Sequence, residues 1–195
     1  VTYPVLPVIM PTGLQGCKNG ELPTSVLRNI NPVGRLYKTA ATAFNCLQLS
    51  AFFAGVSVNP ISSPDTYRTL AQQKAAFLDR FQPTPAGRVP EITRVYEGKV
   101  WYLKQGNYVP VASPGTSNHG FGLAVDIKDC WVGSKTLTWL LGDGSLGSQA
   151  LRYGFSWEVA DGPQAESWHI RYVCGDALTA DAQNAIAAFP QLDVR

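Results

Sequence analysis

The sequence predicts a single α+β domain, a small antiparallel β-sheet with flanking helices. Three observations carry that expectation. The 195 residues are the size of one compact domain. Helical periodicity dominates the first half of the chain, and two-residue alternation follows a proline-rich break, so helices and strands are partly segregated. Glycine and proline, 18 and 14 residues, supply many turns between a few regular elements. Apolar residues make up 45% and charged residues 15%, which excludes a charge-rich disordered chain or a coiled coil. Sixteen Lys plus Arg against fourteen Asp plus Glu leave a net charge of +2, too little for bulk attraction to nucleic acid or an anionic membrane. No run reaches the roughly eighteen apolar residues of a membrane span. A partner is therefore expected to be selected by a pocket.

Residues 1–31, punctuated by Pro and Gly, read as an N-terminal arm packing on the core, with one helical turn at 24–30; residues 32–195 read as the domain proper. Asn31 can cap and Pro32 can open a long helix in which Leu36, Ala40, Ala43, Phe44, Leu47 and Ala51 recur at helical spacing until Gly55. Residues 55–61 alternate briefly as a strand. Ser63-Pro64-Asp65 then opens a second helix in which Leu70, Phe77, Leu78 and Phe81 share a face. Beyond the proline-rich stretch 83–90, Glu97-Gly98 lies between alternating runs and predicts a hairpin over 93–104. Further expectations are a strand at 107–112, a loop at 113–118, a buried strand at 122–127, and short helices at 137–141 and 146–153. A strand at 168–173 and a closing helix at 179–189 complete the chain.

Only two histidines occur, His119 and His169. Each stands at a loop-to-strand junction beside a carboxylate, in Ser117-Asn-His119-Gly-Phe-Gly122-Leu-Ala-Val-Asp126 and in Glu166-Ser-Trp168-His169. Two imidazoles and one carboxylate form the ligand set of a catalytic zinc that keeps a fourth position for water. His119, Asp126 and His169 would supply it, and Glu166, three residues before His169, would exchange protons beside it without ligating. A lone histidine is more often structural. Here, however, neither histidine lies in a segment whose periodicity would place it in a core. The other nearby carboxylates, Asp129 and Glu158, read as exposed charges.

These residues resemble a known family. Ser-x-His-x-x-Gly-x-Ala-x-Asp at 117–126, Glu-x-Trp-His at 166–169 with its continuation Ile-Arg-Tyr-Val, and Tyr67-Arg68-Thr-Leu-Ala-Gln72-Gln73 are similar to segments of the zinc D-alanyl-D-alanine carboxypeptidases. That family is related to the vancomycin-resistance enzymes and has the LAS or hedgehog-type fold. The resemblance covers positions 63–173. It implies one zinc ion held by His119, Asp126 and His169, with Glu166 as general base and acid. It also implies Arg68 as a second catalytic group, binding a carboxylate or the oxyanion, and Ser117, Gln72 and Trp168 as further substrate contacts. Arg68 and Gln72, four apart at a helix start, would face the same way. Ser167 stands where many relatives have proline, and the hairpin region 90–114 is absent from minimal members.

The implied activity is hydrolysis of an amide bond in peptidoglycan stem peptides at the bacterial cell wall, by a monomer, with removal of a terminal D-alanine as the leading form. One rival is a cell-wall endopeptidase domain of a phage lysin, which would suit a chain that begins at Val1 with no charged start and no leader-like apolar stretch. A rival of another class is a zinc-containing binding module without catalysis, as in hedgehog domains. Glu166 argues against it, since a structural zinc needs no base. The cysteines at 17, 46, 130 and 174 are too widely spaced for a zinc finger. Disulfides and free thiols both remain open, with the even count leaning towards an oxidising destination.

Overall fold

The computed structural model describes residues 1–85, 91–106, 109–142 and 147–195. In the arm, 3-10 turns at Thr12–Leu14 and Thr24–Val26 precede a strand β1, Leu27–Asn29, which pairs antiparallel with β2, Arg35–Tyr37. This hairpin replaces the first part of the expected helix. Residues 35–37 give their backbone groups to residues 27–29, and Ile30 N donates to Gly34 O, so α1 begins only at Lys38 and runs to Phe53. Its buried residues, among them Ala40, Ala43, Phe44 and Leu47, are those that recur at helical spacing. Residues 55–61 form no strand. One bridge, Pro60 to Ile127, ties them to the central sheet.

Ser63–Asp65 is a 3-10 turn, and the second helix α2 starts later, at Leu70–Arg80. Thr69 sets that start through a capping box: its hydroxyl accepts from Gln72 N, and the Gln72 side chain accepts from Thr69 N. Phe77 is buried on this helix, Leu78 is exposed, and Phe81 belongs to a strand, so the expected shared face is only partly formed. That strand, β3 (Phe81–Gln82), joins β4 (Thr93–Tyr96) and β5 (Lys99–Leu103) in the order β3-β5-β4. Between β4 and β5, Glu97 and Gly98 have φ of 51° and 72°. Two consecutive positive values are what a two-residue hairpin turn requires. Phe77 stacks on Phe81 at 4.8 Å and meets Tyr96 and Trp101 edge-on, which gives the hairpin its own aromatic floor. Of the strand expected at 107–112, residues 107–108 lie outside the described residues and 109–112 form none.

The central sheet comes last in the chain. It consists of β6 (Ala124–Asp126), β7 (Phe155–Trp157) and β8 (His169–Tyr172) in the antiparallel order β6-β8-β7. Strand β7 carries no turn or alternation signal long enough to predict it. Helices α3 (Lys135–Leu141) and α4 (Gln149–Arg152) lie between β6 and β7, and α5 (Ala180–Ala188), capped by Thr179, follows β8. Part of the helix expected at 146–153 falls outside the described residues. Helix α1 covers the sheet, with Phe44 edge-on to Phe155 at 5.8 Å. The arm lies against the same core: Tyr3 stacks on Trp157 at 5.4 Å, and Val5 bridges Trp157 in parallel. All four cysteines are free thiols, Cys46 and Cys130 fully buried. Among the described residues, no helix is long and apolar enough to cross a membrane.

Candidate metal centre

Two neighbouring strands and one tight turn build the site. The β6–β8 register sets Asp126 directly opposite His169, and His169 Nδ1 lies 2.8 Å from Asp126 Oδ1. His119 arrives from the 3-10 turn Asn118–Phe121, where the Ser117 hydroxyl accepts from His119 N. The His119 carbonyl accepts from Gly122 N and from Arg68 N, which locks the turn against the segment that carries Arg68. His119 Nε2 then stands 3.4 Å from Asp126 Oδ1.

Gly122 makes this turn possible. It adopts φ 64°, its carbonyl accepts from Tyr37 N at 2.8 Å, and a Cβ would sit 2.8 Å from that same nitrogen. We expect Gly122→Ala to cost about 1–3 kcal/mol from the left-handed backbone and the clash. Thermal unfolding would read this as a fall in Tm of roughly 2–4 °C per kcal/mol.

The electrostatics suit a metal. Burial pushes His119 below its ordinary pKa, towards the neutral form a ligand needs. Its Nδ1–H donates to Thr66 O at 2.8 Å, which turns the Nε2 lone pair towards Asp126 and His169. Burial alone would raise the Asp126 carboxyl, but the facing His119 and His169 imidazoles outweigh it and lower it instead. Burial likewise works to lower His169, and the facing Asp126 and Glu158 carboxylates reverse the sign and raise it. One ligand atom each from His119, Asp126 and His169 lies within 4.8 Å of the others. A tetrahedral set with bonds of roughly 2.0–2.2 Å places its donors about 3.4 Å apart, so the residues fit one divalent ion with a side left open.

That open side faces a cleft of about 340 Å³ lined by Arg68, Ser117, Glu166 and Trp168 together with His119, Asp126 and His169. Burial raises the Glu166 carboxyl above its ordinary value, opposed by the His169 charge. The Arg68 guanidinium is held by Pro64 O at 2.9 Å and Asp65 at 3.3 Å, and lies 3.9 Å from Asp126 Oδ2. It precedes α2, so it does not share a helical face with Gln72. The structure does not bring Gln72 to the cleft: its side chain is exposed and engaged in the α2 cap. Its neighbour Gln73 is the buried one, accepting from Gly115 N and donating to Asn19 and Arg68 O behind the site. Glu158 is exposed, as expected, but its carboxylate also lies 3.3 Å from His169 Nε2 and lines the cleft. No short motif marks it. A second hollow of about 530 Å³ shares Glu158, Glu166, Trp168 and His169 with the first and adds Arg94 from the hairpin.

A mixed α/β fold with small antiparallel sheets, two histidines and an aspartate converging on one point, and a protonatable glutamate beside them define a mononuclear metallopeptidase. The chain belongs to the VanY D-alanyl-D-alanine carboxypeptidase family, whose model matches residues 34–175. Among solved structures, the fold is similar to that of a vancomycin-resistance D,D-pentapeptidase VanY in complex with Zn(II). The two share 23% identity over 87% of this chain and 89% of that one, with a TM-score of 0.50. More distant likenesses are VanYB in complex with D-alanine-D-alanine (22% identity, 85% and 82% covered, TM-score 0.44) and the LD-carboxypeptidase LdcB (23%, 86% and 77%, TM-score 0.46). No curated protein matches the sequence.

Proposed function

We propose that this chain is a zinc-dependent D-alanyl-D-alanine carboxypeptidase acting on peptidoglycan stem peptides at the bacterial cell wall. Residues 32–195 form the peptidase unit in this reading, with residues 1–31 as an arm on it. The observation that carries it is the convergence of His119, Asp126 and His169 in the same cleft as Arg68 and a Glu166 of raised pKa, in a chain of the VanY family.

His119, Asp126 and His169 would hold the zinc, which supplies a Lewis acid and lowers the pKa of a coordinated water to roughly 7. Glu166 takes the proton of the attacking water and returns it to the leaving amine of the terminal alanine. Burial raises its pKa above the ordinary carboxylate value, the direction that favours holding and passing on a proton. Arg68, fixed by Pro64 O and Asp65, offers a positive charge in the cleft to the substrate's terminal carboxylate or to the developing oxyanion. Ser117 and Trp168 shape the walls that position the peptide.

Mass spectrometry of stem peptides digested with the zinc-loaded protein tests the reading. Loss of a single alanine from pentapeptide stems is the expected result. Release of cross-linked or internally cut fragments would instead make the protein an endopeptidase, and no hydrolysis of any stem peptide would remove the enzymatic reading.

A further inference from the structure

The central sheet carries a feature that the motif does not contain. In the β7–β8 pairing, Trp157 stands opposite Ile170, so one further step along the same register sets Glu158 opposite His169. Across β6, β8 and the end of β7, the row therefore reads Asp126, His169, Glu158. His169 has its Nδ1 2.8 Å from Asp126 and its Nε2 3.3 Å from Glu158 Oε2. That Nε2 is buried and makes no well-aligned hydrogen bond, although the Glu158 carboxylate is within ion-pair range. The distance is right and the direction is off, so a small rotation of the Glu158 carboxylate would complete an N–H···O bond.

Glu158 is itself braced. Arg171 follows His169 by two residues on β8, so both side chains leave the same face of the strand. Its Nη1 lies 3.8 Å from Glu158 Oε1, and its Nη2 donates to Trp157 O at 2.7 Å and to Leu6 O at 3.2 Å. Leu6 is fixed in turn, since its N–H donates to Ser156 Oγ at 2.7 Å on β7. Arg171 is 8% exposed, so its charge has a strong need for the Glu158 partner. The chain of contacts runs from the arm, which lies outside the family-matched residues 34–175, through Arg171 and Glu158 to the ring of His169.

We propose that Glu158 is a positioning residue for the metal centre: it receives the Nε2–H of His169, fixes the ring's tautomer and orientation, and is held in place by Arg171 and the N-terminal arm. A metal-ligating histidine commonly gives its second N–H to a carboxylate, and this raises the basicity of the ligating nitrogen. The inference rests on the zinc reading above, but it concerns metal binding and not the identity of the substrate.

Zinc affinity, measured by chelator competition on the full chain stripped of metal and reloaded, tests it without any peptidase assay. Glu158→Ala should weaken zinc binding about 10- to 100-fold, with Glu158→Gln, which keeps an acceptor oxygen, falling between the variant and the wild type. Arg171→Met should weaken it as well, and the double variant should lose less than the two single losses combined, because both act through one contact chain. Circular dichroism controls for folding. Unchanged zinc affinity in folded Glu158→Ala overturns the proposal, and an unchanged affinity with a raised KM would make Glu158 a substrate contact instead. A wild-type protein that binds no zinc fails the metal reading itself, and this inference with it.

Discussion

Replacing Glu166 by glutamine is expected to lower the rate of alanine release by about 10²- to 10⁴-fold while zinc stays bound at one ion per chain. The substitution keeps the shape of the side chain and removes only its ability to carry a proton. Glu166 lines the cleft with His119, Asp126 and His169 but is not among the three residues whose donor atoms converge, so that donor set is untouched. Its carboxyl is raised by burial, the direction that suits a group which must both accept and return a proton. Steady-state hydrolysis and metal content, measured on the same preparation, check the two halves of the expectation. Hydrolysis that survives in the variant would remove Glu166 from the mechanism. Wild-type protein that binds zinc and hydrolyses nothing would point to a binding module.

Substituting His169 by alanine is expected to abolish both stoichiometric zinc and activity. Removing a ligand should cost more than the roughly 10- to 100-fold typical of an outer-shell partner. The chain has only His119 and His169, so no third imidazole can take the vacated position. His169 also partners the partly buried Asp126 carboxylate, with its Nδ1 2.8 Å from Asp126 Oδ1, and helps to depress that carboxyl's pKa. Metal analysis after equilibration with equimolar zinc reads the outcome, with circular dichroism confirming the fold. A variant that still holds one zinc per chain would overturn the assignment of His169 as a ligand.

Much of the site was legible because its residues sit in short stretches with distinctive spacing. His119 and Asp126 are seven apart, Glu166 and His169 three apart, and glycines occupy the turn that aims His119. Helix α5, the 93–104 hairpin and the strands around Asp126 and His169 follow from local periodicity and turn chemistry. Expectations failed where distant backbone partners competed with local preference. Residues 35–37 can continue a helix by pattern, yet residues 27–29 recruit them into a hairpin. The start of α2 differs for a local reason: Thr69-Leu-Ala-Gln72 forms a capping box, so Thr69, not Ser63, opens the helix, and the same bond keeps Gln72 out of the cleft.

Residue type and local spacing, read together with the family resemblance, pointed to candidate chemistry: which side chains could hold a metal and which could carry a proton. Ligand preference and turn geometry are properties of a few consecutive residues. Strand register is not. That Asp126 lies beside His169, that Glu158 completes the row on the other side, and that Arg171 links this row to Leu6 of the arm all depend on pairing between segments far apart in the chain. Such pairing is decided by the burial of the whole sheet against α1 and the arm, so only the folded molecule turns an ordinary glutamate at 158 into a neighbour of His169.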